Sequence, residues 1–217
     1  MLDNVKSKYI IKEIFENIKN KRKLNIIKYN KGIKIKLDIN IEDFEIYKTL
    51  KEFNNKYNIN IEDIDIKELN LNYKYIRNEG LKYLAKIKFK QLTQFNLSAN
   101  EISNINILEK VDFKKLKKLD LCVNTISNIN ILEKVNFHEL NKLDLSNNNI
   151  SDINILEKVN FPKLKKLYLN SNYIEDINIL EKVDFKELEI LCLFENEISD
   201  INVLGKVKFK EKIKYRI

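Results

Sequence analysis

From residue 66 to the end of the chain, apolar residues recur with a period of 24 positions. Each unit opens with apolar and polar residues in alternation, which is the pattern of a β-strand with one buried face. The unit reads L-x-x-L-x-L-x-x-N-x-I-x-x-I-x-I-L-E-K-V-x-F and begins at Leu92, Leu116, Leu140, Leu164 and Leu188. One such unit cannot bury its own apolar side, so we expect the units to stack.

Weaker copies of the unit flank these five. An irregular copy precedes them by 26 residues and has Ile66, Leu69 and Leu71 in its strand positions. Tyr215 and Ile217 fit the start of a further copy. The last complete unit has Gly205 in place of the usual glutamate, a departure that is typical of the end of a repeat array.

An asparagine follows each predicted strand. Its side chain can hydrogen-bond backbone groups that have no strand partner where the chain bends. We therefore predict a structural ladder rather than a set of ligands, formed by Asn100, Asn124, Asn148, Asn172 and Asn196. Lys74 departs from the pattern in the irregular first copy, and Phe95 stands where the other units have leucine.

The second half of each unit predicts one helical turn. Asn154-x-x-Glu157 resembles a capping box, in which a polar side chain at the helix start accepts a backbone N–H bond. The same spacing recurs at Asn106/Glu109, Asn130/Glu133 and Asn178/Glu181. We expect Leu156, Val159 and Phe161 to point from this half into the core.

The motif L-x-x-L-x-L-x-x-N-x-I resembles the leucine-rich-repeat signature. Its N-x-I-x-x-I continuation is similar to the variant in phosphatase-regulating and internalin-type repeats. The resemblance covers residues 66–217 and implies an α/β solenoid, with a curved parallel β-sheet and short helical turns on its convex side. It also implies a protein–protein interaction module that binds its partner on the concave face. The repeat subtype alone suggests an alternative, a phosphatase-regulating subunit.

Residues 1–65 lack the repeat and predict a small helical segment. Apolar residues at helical spacing indicate one helix over residues 5–18 and a second around Leu24. Asn40-x-x-Asp43 is a plausible start for a third helix. Its apolar residues would be Phe44, Tyr47, Leu50 and Phe53. At the least, we expect this segment to cap the first repeat.

Part of this segment resembles a degenerate F-box and reads KEIFENIKNKRKLNIIKYNKGI. The usual Leu-Pro start of that motif is absent. The resemblance implies that the chain is a substrate receptor of a ubiquitin ligase. The adaptor of the ligase would then dock on Ile10, Ile14, Phe15 and Leu24. The alternative is that these residues form the core of the segment itself.

Two sets of strand residues are candidate partner-binding sites, because the non-leucine strand positions should face solvent. Lys118/Asp120 and Lys142/Asp144 form a regular strip of charge pairs. Such a strip either contacts a partner or is a solvated surface of little energetic value.

The second set is apolar where the other units are polar, and it consists of Tyr168, Ile190, Cys192 and Phe194. Exposed aromatic and aliphatic clusters usually mark binding surfaces. The alternative is that another segment or another copy of the chain covers them.

Charge does not favour a nucleic-acid partner. The net charge is +8, but residues 66–205 hold 20 basic and 20 acidic residues. Residues 206–217 hold six basic residues and one acidic residue, so the excess lies partly in this tail. A nucleic-acid-binding face would instead concentrate its basic residues on the repeats.

Catalytic chemistry is not indicated. Nucleotide-binding and zinc-protease motifs are absent from the sequence. His138, the single histidine, cannot build a transition-metal site with two distant cysteines. Cys122 and Cys192 should lie about 14 Å apart across three strand spacings, too far for a disulfide. We therefore expect no enzyme activity, no cofactor and no metal.

The sequence contains neither a run of 18 apolar residues nor a secretory signal at its start. A membrane-spanning helix needs about 20 such residues, so we expect no membrane span. With only two cysteines, the composition also differs from that of secreted disulfide scaffolds. We therefore expect an intracellular, cytoplasmic protein.

Overall fold

The computed structural model describes residues 41–207 and 214–216, and at 41–44 and 214–216 it describes the backbone alone. The chain divides into two compact units, Met1–Ile64 and Asp65–Ile217. The second unit contains the repeats. The first two helices predicted from the sequence lie outside the described residues.

Helix α1 spans Ile41–Tyr57 and confirms the third predicted helix. Ile46, Leu50 and Phe53 lie on one side at helical spacing, and all three are buried. The chain beyond the helix is held by the Asn54 side chain. Its Nδ2 donates to the Ile61 carbonyl at 2.8 Å, and its Oδ1 accepts the Ile61 N–H at 3.1 Å. This pair of bonds fixes the turn after α1.

The repeats form one parallel sheet of seven strands in sequence order, which confirms the predicted solenoid. The strands are β1 Glu68–Asn70, β2 Gln94–Asn96, β3 Lys118–Asp120, β4 Lys142–Asp144, β5 Lys166–Tyr168, β6 Ile190–Cys192 and β7 Lys214–Arg216. Equivalent residues of successive units pair directly, so that Leu143 lies opposite Leu167. The strand at Tyr215 pairs with β6 in the same register, as the sequence predicts.

The core runs along the stack because every unit contributes the same apolar positions. Leu143 and Leu145, at alternate positions of one unit, are both fully buried. A phenylalanine from each of five successive turns is buried as well, namely Phe89, Phe113, Phe137, Phe161 and Phe185. Phe95, which replaces leucine in β2, packs edge-on against Phe113 with ring centroids 5.5 Å apart.

The second half of each repeat forms a short 3₁₀ helix in place of an α-helical turn. These helices span Asn106–Lys110, Asn130–Glu133, Asn154–Glu157, Asn178–Glu181 and Asn202–Gly205. Ile155 and Leu156 are buried beneath one of them. Val159 is only partly buried, whereas Val135 and Val183 at the same position of the neighbouring units are buried.

The predicted capping box is wrong. Asn154 does not cap the turn with its side chain. The Asp152 carboxylate, two residues earlier, accepts the Asn154 N–H at 2.8 Å. Equivalent bonds come from Asn104, Asn128, Asp176 and Asp200. A short polar side chain just before the helix lies close to the N–H two residues ahead. An asparagine inside so short a helix would have to reach an N–H farther along the chain, so the first bond forms more readily.

The first repeat differs from the rest in having an α-helix, α2, over Arg77–Lys86. Leu81 and Leu84 lie three residues apart on this helix and are both buried. The sequence marks the unit only by its 26-residue length, and we did not predict the helix. It occupies the place that 3₁₀ helices occupy in the later units.

The asparagine ladder is confirmed. The Asn148 Nδ2 group donates to the carbonyls of Leu121, Leu145 and Ser146 at 3.0–3.1 Å, while its Oδ1 accepts the Ile126 N–H at 3.0 Å. Each asparagine thus bonds its own unit and the unit before it. The other members are Asn100, Asn124, Asn172 and Asn196. At Lys74, which stands at the ladder position of the first unit, the Asn100 side chain accepts the backbone N–H at 3.1 Å.

The residue before each ladder asparagine has a left-handed backbone. The φ angles lie between 53° and 56° at Tyr73, Ala99, Val123, Asn147, Ser171 and Glu195. This conformation costs about 1–2 kcal/mol for most L-residues, and asparagine is the side chain here that tolerates it best. The stack imposes the conformation whether or not the local residue favours it.

Replacing Asn148 with alanine should lower the free energy of unfolding by about 2–4 kcal/mol, because buried carbonyl and N–H groups of two repeats lose their partner. The measurement is urea unfolding followed by circular dichroism. The control is Asn149→Ala, the exposed neighbour, which should change stability by less than about 0.5 kcal/mol. Equal effects of the two substitutions would contradict the ladder's role.

Candidate functional site

The polar side of the sheet is the surface that varies most between units, and we call it the strand face. Its first row lies before the central strand residue and contains Glu68, Gln94, Lys118, Lys142, Lys166 and Ile190. Its second row lies after that residue and contains Asn70, Asn96, Asp120, Asp144, Tyr168 and Cys192. Members of a row lie on adjacent strands, about 4.8 Å apart.

The second row has a structural task in the first four units. The Asp120 carboxylate accepts the Cys122 N–H at 3.1 Å, and the Asn96 side chain accepts the Ser98 N–H at 2.8 Å. Asn70 and Asp144 make the same bond to the residue two positions ahead. These turns end the strands, since a short polar side chain can replace a strand partner for its own backbone.

Tyr168 and Cys192 occupy this row in β5 and β6 and carry no carbonyl or carboxylate oxygen for the same bond. Ile190 likewise stands in the first row, where the three preceding strands, β3 to β5, have lysine. Tyr168, Ile190 and Phe194 are partly buried, and part of each side chain is accessible. We call these three residues the apolar cluster, and they lie on adjacent strands or directly after them.

The sequence places Cys192 in the same apolar set, but only 3% of this residue is accessible, so it does not contribute to the accessible surface. Its side chain is shorter than those of Tyr168, opposite it on β5, and Phe194, two residues ahead. We attribute its burial to this difference in length. Ser98, Ser146 and Asn170, which follow the strands, are also buried against expectation. The chain is already bending into the asparagine ladder at these positions.

The two predicted charge pairs differ. Lys142 Nζ lies 3.2 Å from the Asp144 carboxylate and 4.9 Å from the centre of the Tyr168 ring. Burial lowers the pKa of Lys142, but the Asp144 carboxylate outweighs it and leaves the pKa above its ordinary value. Lys118 makes no ion pair within 4.0 Å in the part of the chain that the structure describes. The strip therefore contains one ion pair, Lys142–Asp144, and one lysine, Lys118, without an ion pair among the described residues.

A shallow depression of about 270 Å³ adjoins this strip on the strand face. Asn70, Asn96, Lys118 and Lys142 contribute to its lining. Glu68 and Asp120 line it as well, so amides, carboxylates and ammonium groups meet at one surface, beside the apolar cluster on the neighbouring strands. The strand face changes in character from mainly amide to charged to apolar between β1 and β6.

Asp120, Cys122 and Asp144 bring possible ligand atoms within 4.8 Å of one another. Burial, reinforced by a hydrogen bond to the Asp120 carboxylate and by the charge of Asp144, raises the pKa of the Cys122 thiol to about 12. Ser146 and Lys142 already occupy the Asp144 oxygens. The three side chains therefore form a hydrogen-bonded network around the Cys122 thiol. Cys122 and Cys192 form no disulfide with each other.

Other predicted and unpredicted features complete the surface. His138 is exposed and lies 3.0 Å from the Asn160 side chain. Three tyrosines in the loops after the strands, Tyr73, Tyr75 and Tyr173, are more than half exposed, and no role is predicted for them from the sequence.

The F-box-like residues Ile10, Ile14, Phe15 and Leu24 lie outside the described residues. No described helix is long and apolar enough to cross a membrane.

Comparison with known proteins identifies the repeat. Residues 138–182 match the family model described as Leucine Rich repeats (2 copies). An internalin (InlF) of Listeria monocytogenes has a similar structure, with a TM-score of 0.51 and 26% identity over 62% of this chain and 36% of that chain. No curated protein matches this chain in sequence. The leucine-rich-repeat assignment made from the sequence is confirmed.

Two further structures are similar at lower scores. Internalin C2 of Listeria monocytogenes has a TM-score of 0.48 and 26% identity, over 59% of this chain and 55% of that chain. The ectodomain of an Arabidopsis thaliana membrane receptor kinase, in complex with Casparian strip integrity factor 2, has a TM-score of 0.47 and 26% identity. The match covers 62% of this chain and 16% of the ectodomain chain. The chain spans 36% of the InlF length and 55% of the internalin C2 length.

The raised thiol pKa predicts how Cys122 reacts. In a Cys192→Ala variant, the rate of iodoacetamide labelling should rise about tenfold per pH unit throughout pH 7–10, because the reactive thiolate forms only near pH 12. Asp120→Asn removes the negative charge and leaves a weaker acceptor, so labelling at pH 9 should become faster. A labelling rate that levels off near pH 9 in the folded Cys192→Ala protein would contradict the buried, hydrogen-bonded thiol.

Proposed function

We propose that this chain, a leucine-rich-repeat protein, binds another protein through the strand face of its solenoid. One observation carries the proposal. In β5 and β6, Tyr168 and Cys192 replace the residues that end the earlier strands by accepting a backbone N–H. At Tyr168, the replacement gives up a local hydrogen bond and adds a partly buried aromatic ring to the strand face. Where a repeat breaks its own structural rule without a gain in packing, a functional cause is expected.

The chemistry of the apolar cluster supports binding. Tyrosine and phenylalanine bury large areas for little loss of side-chain freedom, and such residues supply much of the energy of protein interfaces. The Lys142 ammonium over the Tyr168 ring restricts that ring before any partner arrives. A restrained aromatic side chain loses less entropy on binding than a mobile one.

The fold also supports this function. A repeat array gives every unit the same core, so the strand-face side chains can vary without changing the stack. Leucine-rich repeats are binding modules in the family to which the chain is similar, and the proposal requires no catalysis. The absence of enzyme activity and the intracellular location stay predictions. No described contact favours the ubiquitin-ligase or phosphatase alternative.

The double substitution Tyr168→Ala with Phe194→Ala should weaken partner binding by about 30-fold or more, since loss of two aromatic anchors costs at least about 2 kcal/mol. The measurement compares proteins that immobilised wild type and variant retain from an extract of the source cells. Titration of each retained protein then gives its Kd.

The matched control is Tyr75→Ala with Tyr173→Ala, which removes two exposed aromatic rings from the loops and should leave binding unchanged. Thermal unfolding by circular dichroism checks that both double variants are folded. If the strand-face variant retains every protein at wild-type level, the proposal is wrong. Loss of binding in the loop variant alone would move the site to the loops.

A further inference from the structure

Three lysines form a line across the strand face. Lys118, Lys142 and Lys166 pair in register on β3, β4 and β5. At the usual strand spacing, the row spans about 10 Å. The next member of the row is Ile190, in the apolar cluster. A cationic line therefore leads directly to an apolar surface.

The acidic side chains on the same face are engaged by the sheet itself. Both oxygens of Asp144 are occupied, one by the backbone and hydroxyl of Ser146 and the other by Lys142. The Asp144 side chain is only 13% exposed. Asp120 accepts hydrogen bonds from the Cys122 backbone and thiol. Lys142 thus neutralises Asp144, whereas Asp120 keeps its negative charge, so the three lysines and two aspartates of β3 to β5 sum to +1.

The outer two lysines are open by contrast. Among the described residues, neither Lys118 nor Lys166 has a carboxylate within 4.0 Å. The neighbouring acid Glu189 pairs with Lys165 at 3.4 Å, and Glu68, at the far end of the row, bonds to Gln94. The accessible charge at the middle of the strand face is therefore positive. A carboxylate of a partner would gain a charge-assisted hydrogen bond at either lysine.

We infer that the partner docks through an acidic segment that runs across the strands. Its carboxylates lie opposite Lys118 and Lys166, and a large apolar side chain next to them contacts Tyr168, Ile190 and Phe194. An extended chain advances about 3.3 Å per residue and alternates its side chains between two faces, so acids two or four residues apart can present both carboxylates to the two lysines. This inference rests on the proposed function and specifies the chemistry of its partner.

The test uses the full chain, immobilised, to select binders from a random 16-residue peptide display library. The selected peptides should be enriched in aspartate or glutamate, with a leucine, phenylalanine or tryptophan close by. For a synthetic copy of one such peptide, Lys118→Gln with Lys166→Gln should raise the Kd by tenfold or more. Raising the salt from 50 to 300 mM should weaken wild-type binding and have less effect on the variant, because screening acts on the charge pairs.

The matched control is Lys134→Gln with Lys158→Gln, which removes two exposed lysines at the 3₁₀ helices and should leave the Kd within twofold of wild type. Selected peptides without acidic enrichment that still need Tyr168 and Phe194 would overturn this inference and leave the proposed function standing. Peptides that bind regardless of every strand-face substitution would overturn both. A library that yields no binder would overturn the inference, because short acidic–apolar segments are represented in it.

Discussion

Each repeat bends sharply after its three-residue strand, and the bend leaves backbone carbonyl and N–H groups without a strand partner. A single asparagine per unit satisfies these groups in its own bend and in the bend of the unit before it. Because buried backbone groups must be paired, this side chain links each unit to the one before it, in addition to the sheet. The strand register, the buried leucines and the position of the strand face all depend on it.

The sequence predicts the parts of the fold that repeat. A 24-residue period with one asparagine per unit can satisfy its bends in only one way, so the ladder at Asn100 through Asn196 follows from the pattern. The left-handed backbone of the residues just before the ladder positions could not be predicted, because Val123 and Tyr73 have no preference for that conformation. The stack imposes it from outside the residue. The acceptor role of Asp152 was also missed, since capping by Asn154 gives an equally good match to the pattern.

On the strand face, the sequence predicts position better than exposure. Tyr168, Ile190 and Phe194 lie where the alternation places them, and all three are partly accessible. Cys192 belongs to the same row but is buried, because the alternation says nothing about the length of neighbouring side chains. The Asp144 carboxylate forms an ion pair with Lys142, whereas Lys118 has no ion pair among the described residues. This difference depends on side-chain rotamers and appears only in three dimensions. That difference gives the face its accessible positive charge beside an apolar cluster.

The central claim is that the partner lies on the strand face, and photo-crosslinking tests it most directly. A benzophenone amino acid placed at Phe194 reports contacts on the strand face, while the same group at Tyr173 reports contacts at a loop. Irradiation in an extract of the source cells, followed by mass spectrometry, identifies what each position touches. The account predicts a discrete crosslinked protein from position 194 and none from position 173. Crosslinks from position 173 alone would contradict it.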